Sequence, residues 1–272
     1  MEKILYVTDL DGTLMRDDKT ISERTITVIN SLVKHGALIT YATARSISSA
    51  SVITKYINFK LPVITLNGTI IINKETQETD IEMFTKEDLE EIRECIRDFK
   101  IPAIVTSYTG KEEKKLYIKS ITNEGFKNWS GSHANDKRLM AVQTEEGLFS
   151  GKTCYITLIA DKKELDPLYM RIRDSVRCIC NYDMDKYRSE YWLELSPPGA
   201  TKAKAAEKLK EKYGCSKLIV FGDALNDIPM FKIADEAYAV ANADKNLKAE
   251  ATGIIASNNQ DGVAEWLYAN AK

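Results

Sequence analysis

Ile4–Thr8 (ILYVT) is a short apolar run that ends directly in Asp9–Leu10–Asp11–Gly12–Thr13. A run this short, with no polar alternation, suits a strand buried on both faces, as in a parallel sheet covered by helices. The same design returns twice. Leu38–Ala42 (LITYA) runs into Thr43–Ala44–Arg45, and Leu218–Phe221 (LIVF) runs into Gly222–Asp223–Ala224–Leu225–Asn226–Asp227. Between the first two lies a helical segment. Thr20–Ile21–Ser22–Glu23 reads as its capping box, Ile26, Ile29 and Val33 share its face, and Gly36 stops it. Val63–Leu66 (VITL) reads as a third strand after further helical sequence. Strand, helix, strand, helix, strand predicts an α/β fold with a doubly wound, Rossmann-like parallel sheet.

After Asn67–Gly68 the rhythm changes. A hairpin is expected around 74–79, then a helix capped by Thr85 with Leu89, Ile92, Ile96 and Phe99 on one stripe. Strand-like runs follow at 101–107, 115–121, 153–160, 177–182 and 187–195. A helix is expected near 166–176, with Asp166 as cap and Pro167 at its first position. Many strands with few helices suggest an α+β insert. From Thr201 the alternation resumes with a helix over 202–213, a strand at 218–221, a helix near 227–234 and strands at 237–240 and 254–255. The expected domains are therefore 1–84 with 190–272 as the core, and 85–189 as the insert.

Composition narrows the function. The 272 residues carry 38 basic and 40 acidic side chains, a net charge of −2, so nothing marks the chain as a nucleic-acid binder. Lys111, Lys114 and Lys115 alternate with Glu112 and Glu113 and read as a solvated loop. No apolar stretch reaches membrane-spanning length, and no signal core opens the chain. Five scattered cysteines, 95, 154, 178, 180 and 215, argue against a disulfide framework and for a cytoplasmic protein. Cys178 and Cys180 would share one strand face, with burial favoured over metal or redox roles. A monomer or weak homodimer is expected.

The strand ends carry the chemistry. Open α/β sheets bind ligands at the carboxyl ends of their strands. Asp9 and Asp11 would point the same way from the first strand, and two close carboxylates repel unless a cation or proton relieves them. Gly12 permits a sharp turn. Asp223 would join them; Asp227 reads either as a further ligand or as a helix cap. An oxygen-rich cluster with no His or Cys suits Mg2+. Thr43 would either hold an anion or simply cap a helix. Lys202 opens a strong helix, where a cation is misplaced by ~0.3–1 kcal/mol unless it faces a phosphate; otherwise it is a surface lysine. Gly147–Thr153 looks like a nucleotide P-loop but is one residue short and runs into a strand, so it is set aside.

These motifs in this order resemble the haloacid dehalogenase superfamily of phosphotransferases. Asp9–Thr13 matches its first motif, Thr43 its second, Lys202 its third and Gly222–Asp227 its fourth. The position of the insert resembles the Cof-type branch of sugar-phosphate phosphatases. The resemblance spans core and insert, and implies Asp9 as nucleophile and Asp11 as general acid and base. It implies Mg2+ held by Asp9, Asp11 through its backbone carbonyl, Asp223 and Asp227. It also implies a small phosphorylated substrate held by Leu10, Thr43, Ala44, Lys202 and Asn226; from charge and hydropathy no nucleic acid or membrane partner is expected. Arg45, Asn67 and Gly68 are further substrate candidates, though Asn67 would equally hold a turn. The insert would act as a cap. Ala44 departs from the usual glycine and would be strained if the site required a positive φ. Lys202→Ala is expected to weaken phosphate capture while leaving the fold intact. The alternatives are a phosphotransferase or mutase, or a regulatory protein that binds phosphate without turnover. His35, at a helix end, and His133, in a polar loop, read as structural, as do Tyr108, Tyr182, Tyr187 and Trp192.

Overall fold

The structure, a computed structural model, describes residues 2–109, 112–184 and 189–271. Lys111 and Tyr187 lie outside the described residues. Two compact units emerge: Met1–Ile81 with Ala200–Lys272, and Glu82–Gly199.

In chain order, the first unit begins with β1 (Ile4–Thr8), α1 (Glu23–Lys34), β2 (Leu38–Tyr41), α2 (Ile47–Ile53), β3 (Val63–Thr65), β4 (Ile70–Ile72) and β5 (Thr79–Ile81). The second unit holds α3 (Lys86–Arg97), β6 (Ala103–Thr109), β7 (Glu112–Ile118), α4 (Glu124–Ser132), β8 (Leu139–Val142), α5 (Glu145–Leu148), β9 (Lys152–Ala160), α6 (Lys162–Ser175), β10 (Ile179–Met184) and β11 (Tyr191–Ser196). The first unit resumes with α7 (Lys202–Lys212), β12 (Lys217–Gly222), α8 (Ile228–Ile233), β13 (Glu236–Val240), α9 (Lys245–Ala249), β14 (Gly253–Ile255) and α10 (Gly262–Asn270).

The first unit is built on a parallel sheet in the order β14-β13-β12-β1-β2. Leu5, Tyr6 and Val7 of β1 and Leu218 to Phe221 of β12 are all buried, as central parallel strands require. Trp266 of α10 packs on Tyr6, Phe221 and Tyr238, with ring centroids 6.4, 5.2 and 4.5 Å away. Because β2, β1 and β12 are parallel neighbours, their carboxyl ends open side by side. That order brings the three motif loops together.

The third strand departs from expectation. β3 does not extend the parallel sheet. It lies parallel to the chain just past β2 by one bridge, Ala42 to Ile64, and otherwise pairs antiparallel with β4, which pairs with β5. The reason is the turn after Thr65, where Leu66 and Asn67 take φ of 48° and 54° and send the chain straight back. The cap of α1 is Ser22, whose side chain accepts from Thr25 N; Thr20 instead donates its hydroxyl to Asp18. The buried face of α1 is Thr25, Val28 and Ile29.

In the second unit a six-stranded sheet runs β10-β11-β9-β6-β7-β8, antiparallel except for β7 with β8. Its main core joins Val105, Leu116, Ile156, Leu158, Leu193 and Leu195 to Ile92 of α3 and Leu165, Leu168 and Ile172 of α6. A smaller cluster sets Phe126 and Trp129 of α4 against Ile104 and Ile159. β11 pairs with β9 and β10, so the unit runs on to Gly199. α6 starts at Asp161, not Asp166, because the Glu164 side chain reaches back to accept from Asp161 N (3.4 Å), its half of a capping box, and the apolar stripe begins at Leu165. Pro167 sits inside the helix, and Asp166 pairs with Lys162. α4 replaces part of an expected loop. Its glycines, Asn and Ser are poor helix formers, so the burial of Phe126 and Trp129 is what holds it. His133 is its C-cap and stacks on Trp129.

Candidate active site

Asp9 leaves β1 with its N–H donating to Phe221 O (2.9 Å) and its carbonyl accepting from Thr8 Oγ1 (2.7 Å), so its backbone is fixed from both sides. Leu10 is buried, and its carbonyl accepts from Met15 N (2.8 Å), closing the turn. Gly12 makes that turn at φ 83°, and a Cβ there would collide with the Asp223 carboxylate. Asn242 donates to Gly12 O (2.7 Å), and Thr13 Oγ1 donates to Asp223 Oδ1 (3.1 Å). The first and fourth motifs are thus tied directly to each other.

Asp9, Asp223 and Asp227 offer carboxylate oxygens that all lie within 4.8 Å of one another. Lys202 points into this group, donating to Asp9 Oδ1 (2.5 Å) and Asp227 Oδ1 (2.7 Å). Its side chain is 2% exposed, so it is no surface lysine. Asp227 opens α8 without a side-chain bond to the helix's own N–H groups. One oxygen meets Lys202, and the other accepts from Asp223 N (3.1 Å) and Ala224 N (3.2 Å). Burial pushes the Asp9 carboxyl well up, Lys202 opposes it, and the charges of Asp227 and Asp223 push further up. Burial would discharge Lys202, but Asp227 and Asp9 outweigh it and raise its pKa.

Lys202 pairs with two of these three acid groups, Asp9 and Asp227. With carboxylate oxygens as the donors, and no His or Cys among them, the residues fit a hard divalent cation. The Asp11 carboxylate is not part of this group. It lies in a two-pronged ion pair with Arg45, Nε to Oδ2 at 2.7 Å and Nη2 to Oδ1 at 2.6 Å, while Arg45 Nη1 donates to Ser49 Oγ (3.0 Å).

Thr43 is fully buried; its hydroxyl accepts from Arg45 N (3.1 Å) and its N–H donates to Ile64 O (3.0 Å). Ala44 takes no positive φ, so its methyl carries no strain. Asn67 does hold a turn: its N–H donates to Thr43 O (3.0 Å) and its side chain accepts from Asn226 Nδ2 (3.2 Å). Gly68, at φ 100°, lies so close to the Thr201 and Lys202 backbone that a Cβ would overlap it. The structure therefore gathers all four motifs. Thr13, Ser49 and Asn242 escaped the sequence reading. Thr13 stood in the first motif, but Asn242 reaches Gly12 across 230 positions with no local signal.

Residues 6–267 match the family model of haloacid dehalogenase-like hydrolases. The chain is 26% identical to the Bacillus subtilis 5-amino-6-(5-phospho-D-ribitylamino)uracil phosphatase YitU, over 97% of this chain and 96% of that protein. It is 23% identical to a second B. subtilis phosphatase of that name, YwtE, over 95% of each. Among solved structures, TM0651 of Thermotoga maritima superposes with a TM-score of 0.78 at 26% identity, over 100% of this chain and 98% of that one. A haloacid dehalogenase-like hydrolase from Bacteroides thetaiotaomicron shares the fold, with a TM-score of 0.76 at 24% identity over 98% of each. Among the described residues no helix is long and apolar enough to cross a membrane. With its motifs, parallel core sheet and inserted mixed sheet in agreement, the chain belongs to the haloacid dehalogenase-like hydrolases, in their Cof-type branch.

Proposed function

We propose that this hydrolase is a phosphatase that cleaves small phosphate monoesters through an aspartyl-phosphate on Asp9. The observation that carries the proposal is the Asp9, Asp223 and Asp227 group bridged by Lys202 at the ends of neighbouring parallel strands. Asp9, buried and fixed by its backbone hydrogen bonds, attacks the phosphorus as the bond to the leaving oxygen breaks. Asp11, once released from Arg45 and protonated, gives that oxygen its proton, then takes one back from the water that splits the acyl phosphate and releases inorganic phosphate. Mg2+ would be held by Asp9, Asp223, Asp227 and the Asp11 carbonyl, and would supply the positive charge that lets a carboxylate approach a phosphate. Lys202, Thr43, the amides of Leu10 and Ala44, and Asn226 hold the phosphoryl oxygens as charge spreads over them. Arg45 is recast from substrate ligand to the residue that positions Asp11, because both prongs of its guanidinium are spent on that carboxylate.

Two relatives are named for a phosphate ester on a ribityl chain, a reduced sugar. Sugar and polyol phosphates are therefore the substrates of choice. The test is phosphate release from a panel of such esters, with Mg2+ and with a chelator, by wild type and Asp9→Asn. Release that needs Mg2+ and falls at least ~10^4-fold in Asp9→Asn is expected. Release surviving in Asp9→Asn would sink the covalent mechanism. No release from any ester, with phosphate analogues still binding in Mg2+, would favour a binding protein.

A further inference from the structure

Cys178 and Cys180 stand apart from the chain's other thiols. Cys95, Cys154 and Cys215 are buried, whereas these two are partly exposed. Their sulfurs lie 3.6 Å apart, in van der Waals contact. β10, which carries Cys180, is an edge strand of the insert's sheet. Cys180 pairs with Leu195 in the ladder, but Cys178 precedes the first ladder pair, Ile179 with Ser196. Its N–H instead donates to Val176 O (3.0 Å), a tight turn outside the sheet. The backbone at Cys178 can therefore shift without breaking a strand pair.

We propose that Cys178 and Cys180 form a dithiol site that reacts with a low-molecular-weight disulfide and closes to an intramolecular disulfide. A disulfide spans Cα separations up to about 6.8 Å, and residues two apart on an extended strand are separated by about 6.7 Å. The bond is thus attainable at the limit of its geometry. Such a bond is easily reduced, as labile disulfides are, and unlike the structural bridges of secreted proteins. No third thiol or carboxylate among the described residues completes a metal-binding group here, which leaves exchange chemistry as the reading.

The two thiols are not equivalent. The hydrogen bond between the two sulfurs and the charge of Arg173 lower the pKa of Cys180. That same hydrogen bond, with burial, raises Cys178. Cys180 is the attacking thiolate. It attacks one sulfur of the small disulfide, forming a mixed disulfide and expelling one small thiolate. That thiolate takes the Cys178 proton, Cys178 attacks the Cys180 sulfur, and the second small thiolate leaves and is protonated from solvent. The protein loses two hydrogens and the small disulfide gains them.

The test treats the full chain with oxidised glutathione, blocks remaining thiols with N-ethylmaleimide and digests with trypsin. Arg177 and Lys186 bound one peptide holding both cysteines. Expected is that peptide unalkylated and two hydrogens lighter than the dithiol, and restored by excess reduced glutathione. Cys178→Ser should halt at a stable glutathione adduct on Cys180, while Cys180→Ser should react at least ~10-fold more slowly at Cys178. Thermal melts confirm that each variant folds, and the wild-type peptide reports independently of both. A peptide that stays fully alkylated, or a cross-link to Cys95 in its place, overturns the proposal. Equal reactivity of the two variants overturns the assigned order of attack.

Discussion

In the insert, Arg138 lays its fork on Asp136, Nε to Oδ1 at 2.8 Å and Nη2 to Oδ2 at 2.7 Å, and reaches Glu113 with Nη1 at 2.6 Å. Lys115 stands 4.0 Å from Asp136 and lies over the Trp129 ring. Two cations there meet two carboxylates. In the first unit, one lysine pairs with two carboxylates, Asp9 and Asp227, whose oxygens stand within 4.8 Å of a third, on Asp223. Both clusters are withdrawn from water, where unpaired charge is costly. The balanced one is complete as it stands and reads as structure. The unbalanced one gathers more acid groups than cations, which suits a site that takes up a cation. Burial of charge alone does not separate a binding site from a structural network. The sum of the charges does.

Replacing Lys202 attacks the unbalanced cluster hardest. The sequence suggested that the fold would tolerate its loss, but a lysine this buried between two carboxylates is part of the fold. Lys202→Met should cost about 3–5 kcal/mol in the absence of cation, because Asp9 and Asp227 lose their partner. Melting should fall by roughly 10 °C. Mg2+ should recover part of the loss by mass action, and phosphate release should drop ~10^2–10^3-fold even so. An unchanged melt without Mg2+ would mean that the three carboxylates do not repel as the structure implies.

Arg45 tests whether the neighbouring ion pair serves the chemistry or the substrate. Arg45→Ala should lower kcat ~10–100-fold with KM changed less than ~3-fold, since it positions Asp11 without holding the ester. Arg45→Lys should recover little, because an ammonium is a single charged nitrogen and lacks the planar two-nitrogen fork that spans both carboxylate oxygens while also reaching Ser49. A raised KM with kcat intact would return Arg45 to the substrate role that the sequence suggested.

That revision shows where sequence reading succeeds. β1 and β12 were plain because central parallel strands are apolar throughout, and their motifs sit at fixed offsets from the strand ends. Arg45 could be placed near the site, but its partner Asp11 lies 34 positions upstream, and nothing local announces the pair. β3 looked like a parallel strand, since a short apolar run does not say which neighbour it will join; the positive φ at Leu66 and Asn67 decided that. α6 was misplaced because proline is a louder signal than the Asp161 N–H to Glu164 hydrogen bond that starts the helix. Ala44 looked like a liability only while its backbone angles were unknown.

The balanced cluster makes the opposite forecast. Arg138→Met leaves Asp136 and Glu113 without their main partner and should cost about 2 kcal/mol, less than a fully buried pair because its side chain keeps 18% exposure. The rise in melting temperature that Mg2+ gives the wild type should be retained in full. If Arg138→Met blunted that response, the two clusters would be coupled and the contrast between them would fail.

The smallest effect is the one that pH reads out. Arg138's hydrogen bonds hold the Asp136 carboxyl down to about 2, from an ordinary 3.8. A carboxyl depressed in the folded state binds its proton later than in the unfolded chain, so its stabilisation is present above pH 3.8 and is lost as pH falls towards 2. For a group that is partly hydrated this amounts to at most about 2 kcal/mol. Asp136→Asn has no proton to take up there. Its stability, lower at neutral pH, should fall less steeply than the wild type's across that window in denaturant melts, and the two curves should converge near pH 2. Parallel curves would show that Asp136 keeps its ordinary affinity for protons. The insert's cluster would then owe its place to packing rather than to balanced charge.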